Sequence, residues 1–167
     1  DTHNSPTEQL EAKYPVLVES YKIREDSAGA GEHRGGLGAE MVVQALSPFT
    51  VTTRIDRMHC KPWGLEGGGE AAGNGIAIRH KGEWKTDLPN AKIFNVRLER
   101  GDAYKMLSGG GGGFGAAFKR DPQKVAHDVR EGYVSREAAE KLYGVALGAD
   151  AEVDQAVTEQ LRAKALG

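Results

Sequence analysis

The chain has 167 residues, a formal net charge of −2, 39% hydrophobic and 28% charged residues. This length suits one domain with an appendage, and the composition excludes a fully disordered chain. The near-neutral balance excludes a broadly basic nucleic-acid surface, and no stretch approaches the ~18 apolar residues of a membrane span. The lone Cys60 cannot pair internally, and the N-terminal Asp1-Thr2-His3-Asn4 is not a secretory signal, so a cytoplasmic location is expected.

Glycine divides the chain. Nineteen of the 23 glycines lie between Gly29 and Gly115. An extended N-terminal segment is expected before them and helices after them. Pro15-Val16-Leu17-Val18 leading to Tyr21-Lys22-Ile23 reads as a β-rich run. Glu40 to Leu46 and Thr50 to Ile55 read as two more strands, joined at Ser47-Pro48. In residues 92–98 strict alternation puts Phe94, Val96 and Leu98 on one face, a strand with one side buried. Arg100-Gly101-Asp102 is a turn and Ala103 to Leu107 a return strand. Loops are expected at 28–38, 64–75 and 109–115. No helix-length segment separates the strands, which argues for antiparallel pairing.

The tail is helical in pattern. Asp121-Pro122 is an N-cap followed by proline in the first turn, Val125, Ala126 and Val129 form an apolar stripe, and Gly132 ends it. Ser135 caps a second helix that stops at Gly144, and Asp150 caps a third running from Ala151 to Ala165. The expected class is therefore α+β: a mostly antiparallel β-sheet core with glycine-rich loops, residues 1–120, followed by a C-terminal helical segment, residues 121–167.

Gly109, Gly110, Gly111, Gly112 and Gly113, with Gly115 just beyond, form the densest signal. Their N–H groups could face an oxyanion or phosphate, or the glycines could serve close backbone packing. The GxGxxG match within them does not open a helix directly, and no Gly-Lys-Ser/Thr follows, which excludes the dinucleotide and ATP-loop readings. Arg34, among glycines, could fork onto a carboxylate or phosphate; the favoured reading is a hairpin loop whose arginine pairs with a local acid. Alternation puts Arg54 and Asp56 on one face, as a buried ion pair or part of a polar cleft, the structural pair being the expected reading. His3, His33, His59, His80 and His127 show no metal-ligand spacing, and His59-Cys60 adjacency does not make a catalytic dyad.

The ordered set of motifs resembles one family. It runs Asn4-Ser5-Pro6-Thr7-Glu8, Tyr14 to Val18, Gly29-x-Gly31-x-x-Arg34-Gly35-Gly36-Leu37-Gly38, Pro62-Trp63-Gly64-Leu65-x-Gly67-Gly68, Gly101-Asp102 and Gly109–Gly115. The tail adds Asp121-Pro122, Val129 to Ser135, Ala138-Ala139 and Tyr143-Gly144-Val145. The chain is similar to the C-terminal part of hydantoinase B/5-oxoprolinase proteins, which include the large subunits of acetone and acetophenone carboxylases. The resemblance implies a component of an ATP-dependent, multi-subunit enzyme that opens a hydantoin, oxoproline or lactam ring; the alternatives are a ketone carboxylase subunit and a non-catalytic assembly module. It implies ATP and Mg²⁺ on a hydantoinase A-like ATPase partner. It also implies an N-terminal hydantoinase B-like portion as second partner, with a divalent metal on that portion and none on these residues. No nucleic acid or membrane partner is implied. Within that frame Gly109–Gly113 and Arg34 are the substrate- or oxyanion-binding candidates. The sequence departs from many relatives around the loop, with Leu107-Ser108 before it and Phe114-Gly115-Ala116-Ala117 after it.

Overall fold

A computed structural model describes residues 6–86, 88 and 91–166, with the side chains of 165 and 166 left aside. The motif residues Asn4-Ser5 and the polar Asp1–Asn4 lie outside the described residues. The chain is α+β, as expected, and divides into two compact units. The sheet unit comprises Asp1–Lys22, Ala39–His59 and Asn74–Ser108; the glycine–helix unit comprises Ile23–Gly38, Cys60–Gly73 and Gly109–Gly167. The expected boundary at residue 120 falls inside the second unit, because the three glycine-rich loops bond to one another and group with the tail rather than with the strands.

The first segment is not extended. Thr7–Lys13 is a helix, α1, with Glu8 in its first turn and Lys13 in its last, the charge order that suits a helix dipole. The Glu11 carboxylate accepts the Val18 N–H at 2.8 Å and so ties α1 to the strand that follows. That strand, β1 (Val16–Ile23), joins β2 (Ala39–Ala45) at one edge of a five-stranded sheet of order β1-β2-β7-β4-β5. Here β4 is Gly75–His80, β5 Glu83–Lys85 and β7 Ala103–Leu107. The β2/β7, β7/β4 and β4/β5 pairs are all antiparallel. The β4–β5 hairpin lies in a stretch for which no strand was expected. Its signal is Lys81-Gly82 between apolar-alternating flanks: both residues take positive φ, 49° and 89°, as a two-residue hairpin turn requires.

A separate two-stranded sheet pairs β3 (Phe49–Val51) with β6 (Val96–Leu98). Both are shorter than the expected runs 50–55 and 92–98. The alternation fails at Asn95, which sits at φ 53°. This left-handed residue breaks the two-residue period, so Ile93 turns inward with Leu98 while Phe94 is left 79% exposed. Ala103–Leu107 therefore does not return against β6; it becomes the central strand between β2 and β4. Ala45, Val51, Ile76, Ile78, Leu88, Ala91, Ile93 and Leu98 form the core of this unit.

The glycine–helix unit carries the tail as expected through its first two helices. In α2 (Pro122–Arg130) the Asp121 carboxylate accepts the Gln123 N–H at 2.9 Å, and Gly132 follows at φ 69°. In α3 (Arg136–Tyr143) the Ser135 hydroxyl accepts the Ala138 N–H at 3.1 Å, and Gly144 ends it at φ 61°. The last helix, α4, runs Gln155–Leu166 rather than from 151. Asp154, not Asp150, caps it by accepting the Val157 N–H at 3.1 Å, because residues 147 and 153 are first held in an antiparallel bridge. Val125, Ala139, Tyr143 and Val145 pack the core of this unit.

Candidate functional site

The three glycine loops, separate in sequence, form one backbone crossing. Gly29 N–H donates to the Gly111 carbonyl at 2.9 Å, and Gly111 N–H donates to the Gly36 carbonyl at 2.8 Å. Gly69 N–H reaches Ala30 O at 2.7 Å, Gly113 N–H reaches Gly69 O at 3.0 Å, and Leu65 N–H reaches Gly113 O at 2.9 Å. Gly110 N–H completes the set on Ala72 O at 3.2 Å. The chains approach so closely that side chains have no room. A Cβ on Gly112 would overlap the Trp63 carbonyl, one on Gly113 the Ala30 carbonyl, and one on Gly110 the Ser27 carbonyl. Of the five candidate residues Gly109–Gly113, three thus direct their N–H groups at carbonyls of their own unit. In this arrangement the glycines serve close packing, and the amides of Gly110, Gly111 and Gly113 are engaged.

The crossing holds apolar side chains outward. Phe114 bridges to both His33 and Leu65 through backbone bonds, and Trp63, Leu65 and Phe114 are all exposed.

Arg34 does not face outward as an anchor. Its Nε donates to Asp128 Oδ2 at 3.1 Å and one terminal nitrogen to Oδ1 at 3.3 Å, a two-pronged grip on one carboxylate. Arg120 donates to the same Oδ2 at 2.9 Å. Asp128 is 3% exposed, and both arginines are largely enclosed beside it. One buried carboxylate therefore joins the loop of Arg34 to α2 and to the turn before it. The Arg34 guanidinium also lies 5.5 Å from the Tyr133 ring centre. The internal acid is 94 positions away in sequence, so it is not local. Its trace is visible nonetheless: Asp128 sits on the apolar stripe of Val125 and Val129, and a carboxylate there demands a buried cation. Arg162 of α4 extends the region by donating to the Tyr143 and Arg120 carbonyls, and burial holds its guanidinium below the ordinary arginine range.

The sheet unit contains an open groove of about 610 Å³, with Arg54 and Asp56 among its lining residues. These two do not form the expected ion pair with each other: Asp56 bonds Lys92 at 2.9 Å. That bond, then the Lys92 charge, holds the Asp56 carboxyl below the ordinary range. At the far turns of the same unit, the buried Asp102 accepts the Lys81 and Glu99 N–H groups and meets His80 Nδ1 at 2.8 Å. Cys60 is exposed. Among the described residues no group of three or more His, Cys, Asp or Glu could hold a metal ion. No helix of the described residues is long and apolar enough to cross a membrane.

The family model for hydantoinase B/oxoprolinase matches residues 1–117. The β subunit of a caprolactamase from Pseudomonas jessenii is 30% identical over 166 residues, covering 93% of this chain and 27% of that one. An uncharacterised protein of Methanocaldococcus jannaschii is 33% identical over 162 residues, covering 95% of this chain and 28% of its own. The nucleotide-free structure of an acetone carboxylase that carries out ATP-dependent carboxylation superposes with a TM-score of 0.83 at 27% identity, over 97% of this chain and 26% of that one. The chain spans little more than a quarter of the length of these relatives.

Proposed function

The chain belongs to the hydantoinase B/oxoprolinase family, and from that premise we propose that it serves as the C-terminal part, or a small subunit, of a hydantoinase B-like component in an ATP-dependent amidohydrolase. The substrate class is a cyclic amide: a hydantoin, an oxoproline or a lactam. The observation that carries this reading is the match, over 93% of this chain, to the β subunit of a caprolactamase. ATP and Mg²⁺ belong to a hydantoinase A-like partner, where ATP would supply activation of the amide oxygen. No step of the reaction is assigned to the residues of this chain.

What these residues contribute is a rigid platform. Three loop amides donate to internal carbonyls, and both prongs of Arg34 grip Asp128. This favours a supporting and assembling role within the B-like component over direct oxyanion binding by Gly109–Gly113 or anion anchoring by Arg34. A second reading, a subunit of a ketone carboxylase, is supported by the TM-score of 0.83 with the acetone carboxylase.

The test is native mass spectrometry of the protein purified from its source, followed by turnover of the isolated assembly. The expected result is an assembly with larger A-like and B-like polypeptide, and ATP-dependent opening of hydantoin, 5-oxoproline or caprolactam. ATP-dependent carboxylation of acetone by the same assembly would select the second reading. A chain found without such partners would overturn both.

A further inference from the structure

The core of the sheet unit is closed at one end and open at the other. On β7, Met106 lies directly opposite Met41 of β2 on one side and Ile76 of β4 on the other. Directly opposed residues share a sheet face. Met41 and Met106 therefore continue the face on which Ile76, and two residues along Ile78 and Tyr104, pack the core. Ile76 is 3% exposed, but Met106 is 39% exposed, because the cover of the core stops between them. The groove of about 610 Å³ begins there, floored by Met41 and Met106, flanked by Leu10, Ile55 and Leu107, with Arg54 among its lining. Ile55 belongs to both the core and the groove.

Close-packed protein interiors do not end in voids of this size, and a continuous apolar opening marks a site of contact. Methionine lining suits the seating of another polypeptide's side chains, since the thioether chain adapts to their shape. Arg54 adds direction. No hydrogen bond or ion pair is made by it among the described residues; its charge acts on the neighbouring Asp56, whose carboxylate is itself bonded to Lys92. A guanidinium left at an apolar opening suits a carboxylate of whatever fills it. A second copy of the chain does not fit: a concave groove is not complementary to itself, so two grooves face to face would leave the void unfilled.

We propose that this groove seats an apolar segment bearing an Asp or Glu, supplied by hydantoinase B-like polypeptide beyond these 167 residues. The proposal rests on reading the chain as part of a larger B-like component. Its support is in length: the chain corresponds to only 26–28% of the three relatives named above, so most of such a subunit lies outside it and must pack somewhere. The groove is the unfinished end of a core that this remainder completes.

The experiment places the photo-crosslinking residue p-benzoylphenylalanine at position 106, in place of Met106, within the native assembly from the source organism. A matched assembly carries it at Glu83, an exposed residue of β5 outside the groove. After irradiation the crosslinked peptides are identified by mass spectrometry. The expected result is one crosslink from position 106 to an apolar, acid-bearing peptide of B-like sequence outside residues 1–167, and none from position 83. Arg54→Glu should lower its yield about tenfold, because like charges then meet, whereas Arg54→Lys should keep most of it. A crosslink to the ATPase partner or to a second copy overturns the proposal. So does silence at position 106 in an assembly whose intact mass shows the B-like polypeptide present. If no such assembly exists, the functional reading falls first and this inference falls with it, so the two failures are distinguishable.

Discussion

The two units are held together by different means. In the sheet unit, ladders align side chains such as Ile76, Ile78 and Leu98 into a core, and residues on the ladder can vary in size as long as they stay apolar. In the glycine–helix unit the central contact is backbone against backbone, with a single carboxylate, Asp128, clamping the surrounding segments. The difference teaches where each unit tolerates change. A side-chain core can adjust by rotamer and by shape. A crossing of three main chains has nothing to adjust, and a buried charge has no neutral fallback among its two arginines.

The largest effect is therefore expected at Asp128. Asp128→Ala leaves Arg34 and Arg120 facing each other, enclosed and without their shared carboxylate. The expected loss is about 3–5 kcal/mol, read as a shift of the urea midpoint. The triple variant replacing Arg34, Arg120 and Asp128 with apolar residues should recover much of that loss, since the penalty lies in the unpaired charges. A loss below about 1 kcal/mol for Asp128→Ala would show that water reaches the arginines and that the clamp is not a structural centre.

The crossing comes next, and it can be tested against itself. Gly112→Ala puts a methyl onto the Trp63 carbonyl, an atom of the main chain that cannot swing aside. A cost of about 3 kcal/mol is expected, at the upper end of overpacking effects. Gly111→Ala, one residue away, meets its nearest neighbour, Gly36 N, at 3.2 Å, which a small shift relieves. It should cost about 1 kcal/mol or less. Equal thermal midpoints for the two variants would mean that the loops separate readily and that the crossing does not define the unit.

These contrasts also explain what was legible in the sequence. The helix starts at Asp121-Pro122 and Ser135 and the stops at Gly132 and Gly144 were readable because capping is decided within four residues. The glycine loops were readable as places that need glycine, but not as one another's partners. Contact between residues 29–36, 64–69 and 109–115 leaves no periodic or chemical mark in any of the three. Arg34 was readable as a cation in need of an anion, and only the apolar neighbours of Asp128 hinted at which. Strand β6 was misjudged because Asn95 adopts a left-handed conformation that alternation cannot register. The hairpin at Lys81-Gly82 carried a usable turn signal; the helix α1 was hidden in a short segment whose order comes from Glu11 bonding the next strand. The groove was only half legible: a polar cleft was one reading of Arg54 and Asp56, but the strand that was to align them stops at Val51, and what makes the site is the missing cover over Met41 and Met106.

The smallest expected effect belongs to the sheet unit and turns on pH. Burial pushes the Asp102 carboxyl up, but the Glu99 and Lys81 N–H groups and then His80 together outweigh it, holding it below the ordinary carboxylate range. A carboxylate whose folded pKa lies below its unfolded value binds protons more readily when unfolded. Its contribution is therefore fully present above the unfolded value, near pH 4, and is lost as pH falls through the folded value. Denaturation of the wild-type chain from pH 6 down to pH 2 should thus show a declining stability that Asp102→Asn flattens by at most one proton's worth of slope. The Lys81 N–H bonds Oδ1 and the Glu99 N–H bonds Oδ2, so the single carbonyl of the variant keeps one of these two bonds and loses the other, a pH-independent cost that leaves the slope as the readout. A pH dependence unchanged by Asp102→Asn would assign the acid sensitivity to carboxylates elsewhere and leave Asp102 as a turn-holding acceptor alone.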